Sequence, residues 1–234
     1  MAAMLLSLRT ARLVGLPSDW VWNAGLAAVL SAFFVSRLLL IVVSPHSFLE
    51  RPLLVLALPS LTLPGVCVTV LLLFAYLRWK RLPVLTVLDA WAPCTMVVWL
   101  ALSLGHFIEG TDAGMPTHLP WGILTPGDTI LGKVQPVQIY AALISICLTL
   151  RLLWLLPQRS FDGAIAGRAL VAGGVASFLL DFLRQPYETY GESWLDPSQY
   201  VALVLVLIGA MLFAWRKPLN VLQPQPEPET VYAE

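Results

Sequence analysis

Charged side chains are scarce in this sequence. Only 12% of its 234 residues are Asp, Glu, Lys or Arg, whereas ordinary globular proteins contain roughly a quarter. Apolar residues make up 58%, and the mean hydropathy is +0.79. A water-soluble protein of this length could not bury so much apolar surface and cover its exterior with so few charges. The composition therefore predicts an all-α, polytopic membrane protein and disfavours a soluble helical bundle.

Excess positive charge and paired cysteines are also missing. The formal net charge is zero, and the densest basic patch is confined to residues 78–81, so a nucleic-acid partner has no electrostatic support. The three cysteines lie singly within apolar runs, without the spacing that disulfide scaffolds or zinc sites require. They are Cys67, Cys94 and Cys147. A disulfide scaffold or a zinc site held by these cysteines is therefore not predicted, and no cofactor is expected.

Apolar stretches long enough to cross a bilayer, about 20 residues each, predict six membrane spans. They lie at residues 22–43, 53–77, 84–108, 136–156, 163–183 and 198–215. Pro59 and Pro64 indicate that the second span is kinked or begins as a short surface helix. The domain boundaries follow from the runs: residues 1–20 form an amphipathic cytoplasmic segment, 21–217 the bundle, and 218–234 a disordered, proline-rich cytoplasmic tail.

The distribution of Lys and Arg orients the bundle. In a six-span arrangement ten of them fall on one side and three, Arg51, Lys133 and Arg184, on the other. Because cytoplasmic loops carry the excess of positive charge, both termini are predicted to be cytoplasmic. The long connection 109–135 then forms a small extracytoplasmic loop region, and loops of that length are often functional.

A few ionisable groups lie at membrane depth, where they are costly and suggest function. His106 and Glu109 share a helix face, as do Asp181 and Arg184. These four lie near the outer ends of their spans, and we expect them to line one cavity. Alternatives remain open: Asp181 and Arg184 pair only with each other, His106 merely ends a helix, or Arg37 snorkels to the surface or binds a backbone carbonyl. A metal site at His106, Glu109 and Asp112 is a weaker alternative.

Five segments resemble the motifs of one family, in the family's order. Residues 105–110 read Gly-His-Phe-Ile-Glu-Gly and resemble Gly-Asn-Phe-Ile-Asn-Gly. Residues 178–186 read Phe-Leu-Leu-Asp-Phe-Leu-Arg-Gln-Pro and resemble Phe-x-x-Glu-Phe-Phe-Arg-x-Pro. The match at residues 105–110 continues over 114–122, and the further matching segments are 30–52, 88–93 and 135–140. Over residues 22–217 the chain therefore resembles the bacterial prolipoprotein diacylglyceryl transferases.

The resemblance implies a function, a place and partners. Members transfer the diacylglyceryl group of phosphatidylglycerol to the lipobox cysteine thiol of a prolipoprotein signal peptide, at the outer face of the bacterial inner membrane and without a metal. Members have seven spans, so this chain is expected to lack the first. The implied partners are phosphatidylglycerol, or another anionic phospholipid, and the prolipoprotein.

The chain also departs from the family pattern. The family's His-Gly-Gly aligns with the segment that begins at Leu63, so its histidine is missing here. Two family arginines align with Ser103 and Ser177. The two asparagines of the Gly-Asn-Phe-Ile-Asn-Gly motif are replaced by His106 and Glu109. Two interpretations follow: a transferase in which His106 has become the base, or a divergent, non-catalytic paralogue that binds anionic phospholipid or prolipoprotein. The first is preferred.

The predicted site has two parts. His106 is the candidate general base, because histidine gains and loses a proton near neutral pH, and Glu109 assists it. The candidate substrate-binding residues are Arg184, Asp181, Gly110, Gly114, Gln138, Tyr140 and Arg37, with Lys133 as a further candidate for the lipid phosphate. Gln138 and Tyr140 do not share a helical face, so the alternative is that one or both donate hydrogen bonds to loop carbonyl oxygens instead of binding substrate.

Overall fold

The computed structural model describes residues 1–43, 62–111, 114–124, 132–184 and 195–215. Within these ranges the chain forms seven α-helices: α1 Ala2–Leu13, α2 Ser18–Val43, α3 Leu63–Trp79, α4 Val84–Glu109, α5 Val137–Leu155, α6 Ala164–Asp181 and α7 Pro197–Ala214. A 3-10 helix, Leu156–Gln158, follows α5, and strands β1, Ile123–Leu124, and β2, Lys133–Val134, form an antiparallel pair. The predicted all-α class is confirmed.

Five helices in the described part of the chain are long and apolar enough to cross a membrane: Ser18–Leu39, Val84–Glu109, Val137–Gln158, Ala164–Asp181 and Pro197–Ala214. They match five of the six predicted spans. The apolar stretch of α3, Pro64–Trp79, is shorter, and Pro64 starts this helix rather than kinking it, since the first turn needs no N–H from that residue. Pro59, Arg51 and the expected tail 218–234 lie outside the described residues.

The outer surface of the bundle is apolar. Large side chains such as Leu71, Leu150 and Leu207 point outward, whereas alanine and glycine fill many of the positions between helices. Lipid is the solvent at such a surface, so helix association depends on close packing rather than on hiding apolar area from water. The fold is an all-α membrane bundle.

Helix α1 is packed into the bundle. It contacts both α2 and α4, and Ser7, Thr10 and Ala11 are buried. The Ser7 and Thr10 hydroxyls donate to backbone carbonyl oxygens of their own helix, at 2.7 Å from Met4 O and 3.2 Å from Ser7 O, so these polar residues can be buried without an unmade hydrogen bond. Arg9 and Arg12 on the other face are exposed, and the amphipathic cytoplasmic segment 1–20 stays a prediction.

Helices α6 and α7 approach each other closely because glycine lines their contact. A Cβ atom on Gly174 would lie 2.8 Å from the carbonyl oxygen of Ala202, and one on Gly209 would lie 2.8 Å from that of Gly167. Small residues at such positions are the usual means of packing helices tightly in a membrane. This contact fixes the start of α7 beside the end of α6.

A buried carboxylate begins α6. Asp89 of α4 has no exposed surface, and its two oxygens accept hydrogen bonds from the backbone N–H groups of Gly163, Ile165 and Ala166 at 2.8–2.9 Å. The guanidinium of Arg159 lies 3.6 Å away. The first N–H groups of a helix have no partner within it, so Asp89 acts as a cap supplied from another helix.

Four helix ends meet at the opposite end of the bundle. Helices α4 to α7 run alternately up and down, so the end of α4, the start of α5, the end of α6 and the start of α7 come together there. Segment 114–124 covers this end. The backbone N–H of Thr117 donates to Lys133 O at 2.8 Å, and β1 pairs with β2. The predicted loop region is therefore partly built from β structure.

Candidate active site

The segment after α4 is joined to the end of α6 and the start of α5 by backbone hydrogen bonds. Gly114 and Arg184 form an antiparallel bridge. The N–H of Met115 donates to Leu183 O at 2.8 Å, and the N–H of Gln135 donates to Met115 O at 3.0 Å. A Cβ atom on Gly114 would collide with the Gln135 carbonyl oxygen, so this approach requires glycine.

Arg184 lies one turn beyond the end of α6, beside Asp181. Its Nη1 atom is 3.9 Å from Asp181 Oδ1, a distance too long for a hydrogen bond. The Nε atom is buried and has no hydrogen-bond partner among the described residues. Asp181, which is buried, accepts a 2.6 Å hydrogen bond from the Ser198 hydroxyl at Oδ2. The pair is therefore in contact, but the guanidinium keeps hydrogen-bonding capacity for an anion.

His106 lies in the last turn of α4. This helix ends at a residue in the left-handed conformation. Gly110 has φ 68°, a value that suits glycine. The chain then turns back, so that the Thr111 N–H donates to His106 O at 3.0 Å and the Thr111 hydroxyl lies 2.9 Å from His106 Nδ1. The imidazole is half-buried and Glu109 is exposed. Thr111 thus fixes the ring orientation of the predicted base.

Gln138 and Tyr140, in the first turn of α5, have different surroundings. Gln138 is buried, whereas Tyr140 is half-buried and its hydroxyl oxygen accepts a 2.7 Å hydrogen bond from the indole Nε1 of Trp121. Tyr140 therefore anchors the loop that covers this end of the bundle. Loop carbonyl oxygens were the predicted alternative partners of this residue, whereas the partner observed is the indole of a loop tryptophan.

The two other candidate cations have different settings. Arg37 is buried on α2, with its guanidinium carbon 5.4 Å from the centroid of the Phe33 ring. This cation–π contact pairs the charge with an aromatic ring of its own helix; a role of Arg37 in binding substrate stays a prediction. Lys133 is exposed on β2, at the same end of the bundle as Arg184. Within the described chain, no three His, Cys, Asp or Glu residues could hold a metal ion together; Asp112 lies outside it.

Most predicted site residues share one end of the bundle. Direct contacts bring together Gly114, Asp181 and Arg184, while His106, Glu109 and Gly110 end α4 and Gln138 and Tyr140 begin α5. Their lining of a single cavity stays a prediction.

The serines at two divergent positions lie one turn from the predicted site. Ser103 is buried on α4, one turn before His106, and Ser177 is half-buried on α6, one turn before Asp181. These places are consistent with the motif alignment, and neither side chain carries the charge of the arginine it replaces. Leu63, at the third divergent position, begins α3.

Three supporting residues were missed by sequence reasoning. Thr111 contacts His106, Trp121 contacts Tyr140, and Ser198 contacts Asp181. Ser198 gave a weak signal, because it follows Asp196 and Pro197, a helix-start pattern at the outer end of a predicted span. The other two lie in the outward loop, where no periodicity indicates which side chains meet.

Comparison with known proteins identifies the family. The family model described as prolipoprotein diacylglyceryl transferase matches residues 1–215. The chain belongs to this family. The match begins before the region that the motifs covered, so it includes α1. The family predicted from the motifs is confirmed, and it is a family of transferases.

Individual relatives carry the same name, phosphatidylglycerol–prolipoprotein diacylglyceryl transferase. The protein of Xylella fastidiosa (strain 9a5c) is 30% identical over 221 residues, which cover 79% of this chain and 73% of that protein. The protein of Clostridium tetani (strain Massachusetts / E88) is 24% identical over 219 residues, 91% of this chain and 87% of that protein. A Wolbachia relative (strain wRi) is 32% identical over 145 residues, 58% and 54% respectively.

Proposed function

We propose that this protein transfers the diacylglyceryl group of phosphatidylglycerol to the cysteine thiol of a prolipoprotein. The thiolate sulfur attacks the glycerol carbon that bears the phosphate ester. A carbon–sulfur bond forms, the carbon–oxygen bond to phosphate breaks, and glycerol phosphate leaves with the bonding electron pair. The thiol proton must go to a base, since the thiolate is the nucleophile, and the phosphate must meet a cation, since its charge is costly in a dry site.

The observation that carries this proposal is the state of the Arg184 guanidinium. It is only 30% exposed, lies 3.9 Å from its acidic neighbour, and has a buried Nε without a hydrogen-bond partner among the described residues. Arginine presents several donors in a planar fork that matches phosphate. Lys133 and Arg37 are further candidates for the same headgroup. Gly110 allows a close approach because it has no Cβ atom, and Gly114 contributes by holding the loop against Gln135 and Arg184.

His106 is assigned the proton transfer. It ends a membrane helix at the same end of the bundle as Arg184, and Thr111 holds its ring at 2.9 Å. A base that is held in one orientation needs less reorganisation when it accepts a proton. Glu109, one turn away on the same helix, assists as an exposed carboxylate. This base replaces the asparagine of the family motif.

The distribution of Lys and Arg supports a location and an orientation for the protein. In the six-span arrangement predicted from the sequence, ten of the Lys and Arg residues fall on one side, which supports a bacterial inner-membrane protein with both termini in the cytoplasm. The site then faces the outer leaflet, where a prolipoprotein signal peptide and phosphatidylglycerol or a related anionic lipid are available. The division into a segment 1–20, a bundle 21–217 and a tail 218–234 belongs to the same proposal.

The replaced positions define the alternative. Ser103 and Ser177 cannot grip phosphate as arginine does, so a chain that only binds anionic lipid or prolipoprotein is the second candidate. Family membership favours the transferase, because the family and the relatives named above are described by that activity.

Turnover by the purified protein distinguishes the two. The full chain, reconstituted in liposomes that contain phosphatidylglycerol, is incubated with a lipobox peptide, and the peptide is analysed by mass spectrometry. We expect the cysteine to gain the mass of a diacylglyceryl group. A peptide with serine at the cysteine position and liposomes of phosphatidylethanolamine are the controls. Saturable phosphatidylglycerol binding without any mass gain would establish the non-catalytic alternative, and neither binding nor mass gain would contradict both.

A further inference from the structure

A groove runs along the outer surface of the bundle between α5 and α6. Its volume is about 530 Å³, and all its lining residues are apolar. Ala172 and Ala176, four residues apart on one face of α6, are small positions within it. Ile144 of α5 contributes to the opposite wall. A surface depression of this chemistry, facing lipid, suits a flexible hydrocarbon chain.

One end of the groove lies at the proposed headgroup site. Leu183, which lines the groove, directly precedes Arg184, and its carbonyl oxygen accepts the Met115 N–H at 2.8 Å. The backbone bridge between Gly114 and Arg184 lies next to this contact. The groove thus ends at the residue that precedes Arg184 in the chain, so an acyl chain that lies in it would bring its headgroup to the end of the bundle where Arg184 lies, which matches the order of hydrocarbon and phosphate in an anionic phospholipid.

The length of the groove matches one leaflet of a bilayer. From Ala172 to Leu183 the chain advances eleven residues, mostly helical, or about 16 Å at 1.5 Å per residue. The hydrocarbon core of a bilayer is about 30 Å thick, so each leaflet contributes about 15 Å. An acyl chain that starts beside Arg184 would therefore end near Ala172.

We propose that this groove holds one acyl chain of the phospholipid whose phosphate meets Arg184, and that Ala172 and Ala176 limit the chain length that is accepted. The inference rests on the proposed function and adds a specificity determinant to it. A long chain extends past Ala176 to Ala172, whereas a short chain stops before Ala172. Filling the deep position therefore excludes long chains selectively, and filling the middle position excludes both.

The test uses the variants Ala172→Phe and Ala176→Phe in the full, reconstituted chain, with dilauroyl, dipalmitoyl and distearoyl phosphatidylglycerol as donors. We expect Ala172→Phe to lower distearoyl transfer about tenfold or more, because the added ring overfills the deep end of the groove, with little change for dilauroyl. Ala176→Phe should lower transfer from all three lipids. The matched control is Leu143→Phe, at an exposed α5 position outside the groove, which should leave the length profile unchanged.

Photocrosslinking gives a readout that does not depend on turnover. Phosphatidylglycerol with a photoreactive group at the end of one acyl chain should label residues near Ala172 in the unmodified protein, and matching phosphatidylcholine should label them less. Equal labelling by both would indicate bulk lipid only, and equal losses for all chain lengths in Ala172→Phe would show no length selection; either result overturns the inference. If Ala172→Phe changed the peptide concentration needed for transfer and not the preference for lipid chain length, the groove would bind an apolar helix of the peptide and the inference would also be overturned. Absence of transfer by the unmodified protein with every donor would contradict the proposed function, and the labelling would then decide the groove separately.

Discussion

The Ser198 hydroxyl donates a 2.6 Å hydrogen bond to Oδ2 of Asp181. This contact joins the start of α7 to the end of α6 and fixes the carboxylate that lies 3.9 Å from the guanidinium of Arg184. Asp181 is therefore held by a neighbour other than Arg184. Asp181 attracts the Arg184 guanidinium at 3.9 Å but accepts no hydrogen bond from it. Asp181 is therefore a positioning residue for the Arg184 cation, and the guanidinium donors stay available to a ligand.

Removal of the Arg184 side chain should weaken binding of anionic lipid selectively. We expect Arg184→Ala to lower the affinity for phosphatidylglycerol about tenfold or more, since a hydrogen bond to a charged group contributes about 1.5–3 kcal/mol, and to change phosphatidylcholine binding little. Lipid titrations of the detergent-purified protein would measure both. Arg151→Ala is the control, because Arg151 is an exposed arginine whose guanidinium stacks on Trp154. Equal losses for the two lipids would contradict a phosphate role.

Replacement of the proposed base should abolish turnover without abolishing binding. His106→Asn restores the residue of the family motif but removes the proton acceptor, and a positioned base contributes about 10²–10⁴-fold. We therefore expect peptide diacylglycerylation to fall at least about a hundredfold while phosphatidylglycerol affinity is kept. His118→Asn changes an exposed histidine of the outer loop and should keep full turnover. Undiminished activity of His106→Asn would exclude His106 as the base.

The cap at the other end of the bundle should be needed for stability. Asp89→Ala leaves three buried N–H groups without their acceptor and removes one of the two carboxylates beside Arg159, which keeps Asp162 and its hydrogen bond to Val14 O. Loss of one member of a buried charged pair costs about 3–5 kcal/mol, so we expect the free energy of unfolding in mixed detergent micelles to fall by about 3 kcal/mol. Asp89→Asn keeps one acceptor oxygen and should lose less. If both variants unfold like the unmodified protein, the cap does not stabilise α6.

The cap also shows which features the sequence could predict. The helix containing Asp89 was predicted at 84–108 and observed at Val84–Glu109, because a long apolar run has few alternatives. The partners of Asp89, which are 74 to 77 residues away, were not predicted, since periodicity does not state which helix ends meet. The packing of α1 against α2 and α4 was not predicted for a similar reason: a short apolar run that contains Arg9 and Arg12 does not state which helices it contacts.

The candidate site was predictable in part. The arginine and carboxylate near Ser198 were identified from charge at membrane depth, a signal that depends on energetic cost and not on contacts. The hydrogen bond from Trp121 to Tyr140 joins residues 19 positions apart, and the approach of segment 114–116 to Leu183 depends on loop geometry. Neither leaves a pattern in the sequence, so the loop's role became visible only in the structure.

The close approach at Gly114 gives the last prediction. A methyl group there would collide with the carbonyl oxygen of Gln135, so Gly114→Ala must shift either the loop or the bridge to Arg184. We expect the variant to displace the guanidinium and to lower both phosphatidylglycerol affinity and peptide diacylglycerylation about tenfold or more, because small misplacements of positioned groups have large effects. Stability should fall by about 1–3 kcal/mol, as in other overpacked sites.

The matched control for Gly114 is Gly173→Ala. Gly173 is also buried, but an added Cβ would meet only the terminal methyl group of Met96 at 3.4 Å, which is ordinary contact with a flexible side chain. This variant should keep lipid affinity, turnover and stability, since alanine is favoured over glycine within a helix. Comparable losses in the two variants would show that the bundle tolerates no added methyl group, whereas unchanged affinity in Gly114→Ala would separate the loop bridge from the position of Arg184.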